Sequence, residues 1–184
     1  MDVQQAWLFG VTLGDVKKAL VSSLAPLGYR DSGQSPLLRP SGTAPTFAQK
    51  NRRFFFISEF ESRLVSVVEN GELFDASLVK EVSEQLRCRG VWVALHESLN
   101  AWGHQEFVAG NAGERALFPE EAFSDSAEIE DVDYAGDATR EAFAYVETLD
   151  APEAFVGYGQ ISKGFERPSS LKTCIHVAMS KLQS

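Results

Sequence analysis

The run Arg53-Phe54-Phe55-Phe56-Ile57-Ser58-Glu59-Phe60 limits the choice of fold more than any other segment. Side chains of a strand point alternately to opposite faces, so Phe54, Phe56 and Phe60 share one face while Phe55 and Ile57 share the other. A strand that is apolar on both faces needs cover on both, which places it near the centre of a sheet. Arg63-Leu64-Val65-Ser66-Val67-Val68 reads as its antiparallel neighbour across a turn at Glu61-Ser62, and Asn70-Gly71 supplies the next turn. The chain holds 13 phenylalanines, an excess that points to a core built on aromatic side chains.

Around this pair the remaining elements follow from periodicity. Ala6 to Val11 reads as a short buried strand, and Thr12 opens a helix with Asp15 three residues on, an Asp variant of the capping box. Leu13, Val16, Leu20, Leu24 and Leu27 form its apolar stripe, and Pro26 and Gly28 stop it. Residues 31–46, rich in Pro, Gly and Ser, read as an exposed loop. A second helix starts at Asp75 or Ser77, carries Leu78, Val79, Val82 and Leu86 on one side, and ends at Gly90. Val91 to His96 and Trp102 to Val108 form a hairpin around Leu99-Asn100, followed by an edge strand from Glu114 to Phe118.

The C-terminal third reads differently. Pro119-Glu120-Glu121 suits a helix start, and Asp137 to Leu149 a helix with Ala142, Phe143 and Val146 inward. A last helix is expected from Pro168-Ser169-Ser170, with Leu171, Cys174, Ile175, Ala178 and Leu182 on one stripe and His176 beside it. The expectation is an α+β fold: a mainly antiparallel sheet with hairpins, helices packed on it and a helical C-terminal third. One domain spans residues 1–184, with 1–118 as the sheet core and 119–184 as an acidic, mainly helical extension packed on it.

Charge is distributed unevenly. The net charge of −9 arises from −1 over residues 1–119, −11 over 120–153 and +3 over 154–184. So acidic a chain is poorly suited to nucleic acid, whose phosphates it would repel. No apolar run approaches the roughly 18–20 residues of a membrane span, and Met1 to Gln5 lacks the pattern of a signal peptide. Cys88 and Cys174 are isolated, with no CxxC pairing, which makes a reducing cytoplasm the simplest setting. No cofactor motif is present. Gly157 to Gly164 has glycines and a lysine, but Lys163-Gly164 reverses the order a phosphate loop requires.

Three groups of residues could carry function. Asp125, Glu128, Glu130, Asp131, Asp133 and Asp137 crowd carboxylates into the acidic stretch. Read as a calcium loop from Asp131, it has Asp133 and Gly136 in place, but Ala135 and Ala142 stand where two ligands are needed. A solvated acidic surface is the plainer interpretation, and Glu128, Glu130, Asp131 and Asp133 then become candidates for docking a basic protein partner. The second group is His96, Glu97, His104 and Glu106 with Trp92 and Trp102. Depending on the hairpin register, His96 and His104 either face each other or point to opposite faces, and convergence would allow a metal or acid–base site. The third is Cys88 between Arg87 and Arg89, cations that favour a thiolate.

The leading functional reading is a non-catalytic interaction protein whose acidic face, residues 120–153, docks a basic partner. Small acidic bacterial proteins that neutralise a toxin offer an analogy, by charge alone. One alternative is a hydrolase-like or metal-dependent enzyme with its site around His96 and His104. Another is a small-molecule binder with an aromatic pocket lined by Trp92, Trp102 and the Phe54–Phe60 strand.

Overall fold

The computed structural model of this chain describes residues 2–34, 52–60, 63–69, 76–123, 135–149 and 173–181. Strand β1 (Asp2–Phe9) leads into helix α1 (Leu13–Leu24), then β2 (Tyr29–Gln34), β3 (Arg52–Phe60) and β4 (Leu64–Glu69). Helix α2 (Ala76–Leu86) precedes β5 (Arg89–His96), β6 (Ala101–Val108) and β7 (Asn111–Phe118). Helix α3 (Ala138–Glu147) and β8 (Thr173–Lys181) complete the described elements. All strands join one antiparallel sheet in the order β2-β8-β3-β4-β1-β5-β6-β7. The expected α+β class is therefore what the chain adopts.

Both faces of the sheet are apolar, as the Phe-rich run requires. On one face Ala6, Leu8, Phe55, Ile57, Val65, Val67, Trp92 and Ala94 meet α1 and α2. On the other, Val3, Trp7, Phe60, Leu64, Val93 and Leu95 form a second cluster with Ala138, Ala142, Val146 and Leu149 of α3 and the residues that follow it. Every residue of β4 is buried, and so are Gly90 to Leu95 of β5. Burial falls away only toward the edge, where β7 is exposed from Asn111 to Arg115.

Local chemistry explains where the helices begin and stop. The Thr12 hydroxyl accepts from the Asp15 amide at 3.3 Å and donates to the Asp15 carboxylate at 2.6 Å, closing the expected cap. These contacts hold the Asp15 carboxyl below its usual range, helped by Lys18 and Arg63. Glu59 of β3 accepts from the Leu13 amide at 3.3 Å, satisfying another orphan donor of the first turn. At the C-terminal end Gly28 takes a left-handed conformation (φ 86°). Leu27, the last member of the expected stripe, lies beyond the helix and is 59% exposed. Helix α2 sits close to the sheet because Gly90 has no side chain: a Cβ there would meet Val79 and Leu8 atoms at 3.1 and 3.2 Å.

Charged groups also enter the interior. Arg53 and Glu69 form a two-armed ion pair between β3 and β4, with Nη2 to Oε2 at 2.7 Å. The guanidinium also lies over the rings of Tyr29 and Phe55, at 5.9 and 5.4 Å.

Residues 173–181 correct one expectation. They form strand β8, inserted between β2 and β3, and not a terminal helix. In this register Ile175, Val177 and Met179 oppose Ile57, Phe55 and Arg53. Val177 and Met179 are buried in the cluster under α1. A different set, Ile175, Val177 and Met179, alternates with a period of two, and pairing with β3 decides in favour of the strand. The C-terminal residues therefore belong to the sheet itself, not to a helical extension packed on it. Two smaller differences concern Asp31 to Gln34, which lie in β2 and not in a loop, and Glu120–Phe123, which form a single 3-10 turn.

Truncation should distinguish the two ends of the α1 stripe. Leu24→Ala, at a fully buried position, is expected to cost about 2–5 kcal/mol in urea unfolding. Leu27→Ala should stay within about 0.5 kcal/mol. Equal losses would contradict the assigned packing.

Candidate functional site

Alternation along β6 sends Trp102, His104 and Glu106 to the face covered by α3, and Phe107 to the face covered by α2. Helix α3 is positioned at its start by two caps. The Asp137 side chain accepts from the Arg140 amide at 3.0 Å. Asn100, in the turn between β5 and β6, donates to the Gly136 carbonyl at 3.0 Å and accepts from the Ala138 amide at 3.1 Å. Ala138 and Ala142 are fully buried on the sheet. These small residues bring Glu141 and Tyr145 close to β6.

A joined polar and aromatic cluster results. The Tyr145 ring stacks on His104, with centroids 3.9 Å apart and planes 20° apart. Its hydroxyl donates to Glu106 Oε1 at 3.0 Å. Arg89 of β5 donates to both Glu106 oxygens, at 2.9 and 3.2 Å, while lying over the Phe9 ring at 4.8 Å. Trp102 Nε1 donates to Glu141 at 3.0 Å, and its ring stacks on Phe118 at 5.4 Å. On its other side Trp102 lies 5.7 Å from the His104 ring. His104 is 4% exposed, and its Nδ1 has no hydrogen-bond partner among the described residues.

The protonation states follow from these surroundings. Burial lowers the His104 pKa below its ordinary 6.5, outweighing the pull of Glu114 and Glu106, so the ring is neutral at pH 7. Burial alone would raise Glu106, but hydrogen bonds from Arg89 and Tyr145, with the Arg89 and His104 charges, hold it below its usual range. Tyr145 is pushed well above the ordinary tyrosine range, by burial first and by the Glu106 carboxylate next. The cluster thus holds a neutral imidazole, a persistent phenol and an anion already engaged by arginine. Such a set binds elements together firmly; it holds no activated nucleophile.

The six expected site residues divide. Trp102, His104 and Glu106 come together. His96 and Trp92 lie across the sheet, both packed on Phe123 at 5.6 and 6.3 Å. Glu97 is exposed in the turn. The register pairs Val93 with His104 and His96 with Ala101, so the two histidines point to opposite faces and do not converge. Trp92 and Trp102 are separated in the same way and cannot line one aromatic pocket. Among the described residues, no three His, Cys, Asp or Glu side chains are grouped to hold a metal ion. Cys88 also departs from expectation: it is buried, and burial pushes its thiol up rather than down. Arg89, the cation meant to activate it, is turned to Glu106 and Phe9. Glu128, Glu130, Asp131 and Asp133 lie outside the described residues.

No family model, curated protein or solved structure matches this chain. No described helix is long and apolar enough to cross a membrane. Tyr145, Arg89 and Glu141 are the unexpected members of the site. The sequence signal for them was the inward set Ala142, Phe143 and Val146; the structure buries Ala138, Ala142 and Val146, with Phe143 partly buried, which leaves Glu141 and Tyr145 flanking the sheet.

Tyr145→Phe should keep the ring stack and lose the bond to Glu106, costing about 0.5–1.5 kcal/mol in urea unfolding. In an alkaline absorbance titration it should also remove the tyrosine ionisation that occurs at highest pH. Loss of an ordinary step near pH 10 instead would contradict the assignment.

Proposed function

We propose that this chain is a non-catalytic binding protein that docks a basic protein partner through its acidic stretch, residues 120–153. The observation that carries the reading is charge segregation: the stretch has a net charge of −11 in a chain whose first 119 residues sum to −1. A field of that size and sign accelerates encounter with a cationic surface and disfavours partners of like charge.

The position of the flanking residues supports the same reading. Phe123 packs on His96 at the end of β5, and Gly136 is held by Asn100 in the turn that follows β5. Segment 124–134, with five acidic residues and no basic one, therefore starts and ends beside the β5–β6 turn. Exposed Glu97, Glu120 and Asp137 lie at its margins. The analogy with small acidic toxin-neutralising proteins remains one of charge. The enzymatic alternative loses its main support once His96 and His104 occupy opposite faces.

Capture of basic proteins by the immobilised chain tests the reading. A variant carrying Glu128→Gln, Glu130→Gln, Asp131→Asn and Asp133→Asn should lose at least about tenfold in capture at low salt, along with most of the salt sensitivity. Capture equal to that of the unaltered chain would overturn the proposal.

A further inference from the structure

Helix α3 is short, and it meets the sheet largely through small side chains: Ala138, Ala142 and Val146 are its fully buried residues. Besides the Asn100 cap at its start and partly buried Phe143, it is held by the Glu141 bond to Trp102, the Tyr145 bond to Glu106 and the Tyr145 stack on His104. The last of these involves a titratable ring with an unusual environment. His104 stacks on Tyr145 in a three-ring cluster with Trp102, 4% exposed, with Nδ1 unpartnered among the described residues.

The groups facing this ring are few. On β6 itself they are Trp102 and Glu106. From β5 the cross-strand neighbour is Val93, and from β7 it is Ala116, with the exposed carboxylate of Glu114 nearby. From α3 the ring meets Tyr145, while Glu141 is engaged by Trp102. Two anions pull on the ring, Glu114 more than Glu106, but Glu114 is exposed and the Glu106 oxygens are taken by Arg89 and Tyr145. An added proton would therefore place a cation in a nearly closed site, with no described acceptor for Nδ1 and little water to solvate it. Burying a charge in that way costs much more than burying the neutral ring.

We propose that α3 is a pH-sensitive latch: it stays on the sheet while His104 is neutral and is released when His104 takes up a proton. The direction agrees with the lowered pKa of the buried ring. When α3 lifts, His104 regains its ordinary pKa of 6.5, so the lifted state binds the proton more readily. Docking is at full strength above that value and weakens as pH falls below it, until the docked ring itself is protonated. One proton allows at most about a tenfold change per pH unit, or about thirtyfold between pH 7.5 and 5.0.

Because Asp137 and Asn100 fix the start of α3 beside the acidic segment, release would also change how that segment is presented. This consequence rests on the function proposed above; the latch itself does not. Amide hydrogen exchange, corrected for intrinsic rates, reads the helix directly in the full chain. Protection of α3 amides should fall by up to about thirtyfold from pH 7.5 to 5.0, while β1 and β4 hold theirs. His104→Phe keeps an aromatic ring against Tyr145 and should reduce that change to about twofold or less. His96→Gln should leave it intact. An equal fall in His104→Phe would overturn the latch, and so would α3 protection that does not vary with pH in the unaltered chain. An NMR titration of the His104 ring in the unaltered chain gives a second, independent reading. A midpoint at 6.5 with α3 still protected would equally overturn the proposal.

Discussion

Strands β1, β4 and β5 bury side chains on both faces, and the rest of the structure depends on meeting that demand. Val3 and Trp7 of β1 face α3 or its surroundings, while Ala6 and Leu8 face α1 and α2. Even Gln5, in the same strand, is fully buried and donates to Ser66 at 2.7 Å. Burial of a large apolar side chain contributes about 1.5–3 kcal/mol, so leaving either face uncovered would forfeit several such terms. Helices α1 and α2 cover one face. On the other, α3 supplies described cover over β5 and β6.

The way α3 is held joins stability to the candidate site. Its two buried alanines, Ala138 and Ala142, allow close approach, and close approach brings Tyr145 against His104 and Glu106, and Glu141 against Trp102. The polar members of the cluster bond to one another, while His104 Nδ1 has no partner among the described residues. The caps from Asp137 and Asn100 then place the C-terminal flank of the acidic segment at the β5–β6 turn, where Phe123 places the other flank.

Much of this was legible in the residues where local physics decides. The Thr12–Asp15 cap, the Gly28 stop and the two-faced Phe strand each carry their signal within a few positions. The terminal strand did not, because Cys174, Ile175 and Ala178 fit a helical stripe while Ile175, Val177 and Met179 fit a strand. Its partner, β3, lies more than a hundred residues away in the chain. The histidine pair depended on one residue of turn length: His96 pairs with Ala101, so residues of like parity in β5 and β6 fall on opposite faces. A register pairing His96 with His104 would have brought them together. Asn100, left-handed at φ 45°, closes the turn that excludes it. Tyr145 was hidden because its partners, Glu106 and His104, are remote in sequence and meet it only after α3 docks.

The proposed docking of a basic partner is electrostatic and centres on the acidic stretch, whose described flanks lie at the β5–β6 turn. Amide chemical-shift mapping during titration with a lysine-rich peptide tests it most directly. The largest shifts are expected at Glu97 to Asn100 and at Asp137 to Arg140, lessening as salt is added. Shifts concentrated on α1 and α2, or at Ala109 and Gly110 at the opposite end of the sheet, would contradict it.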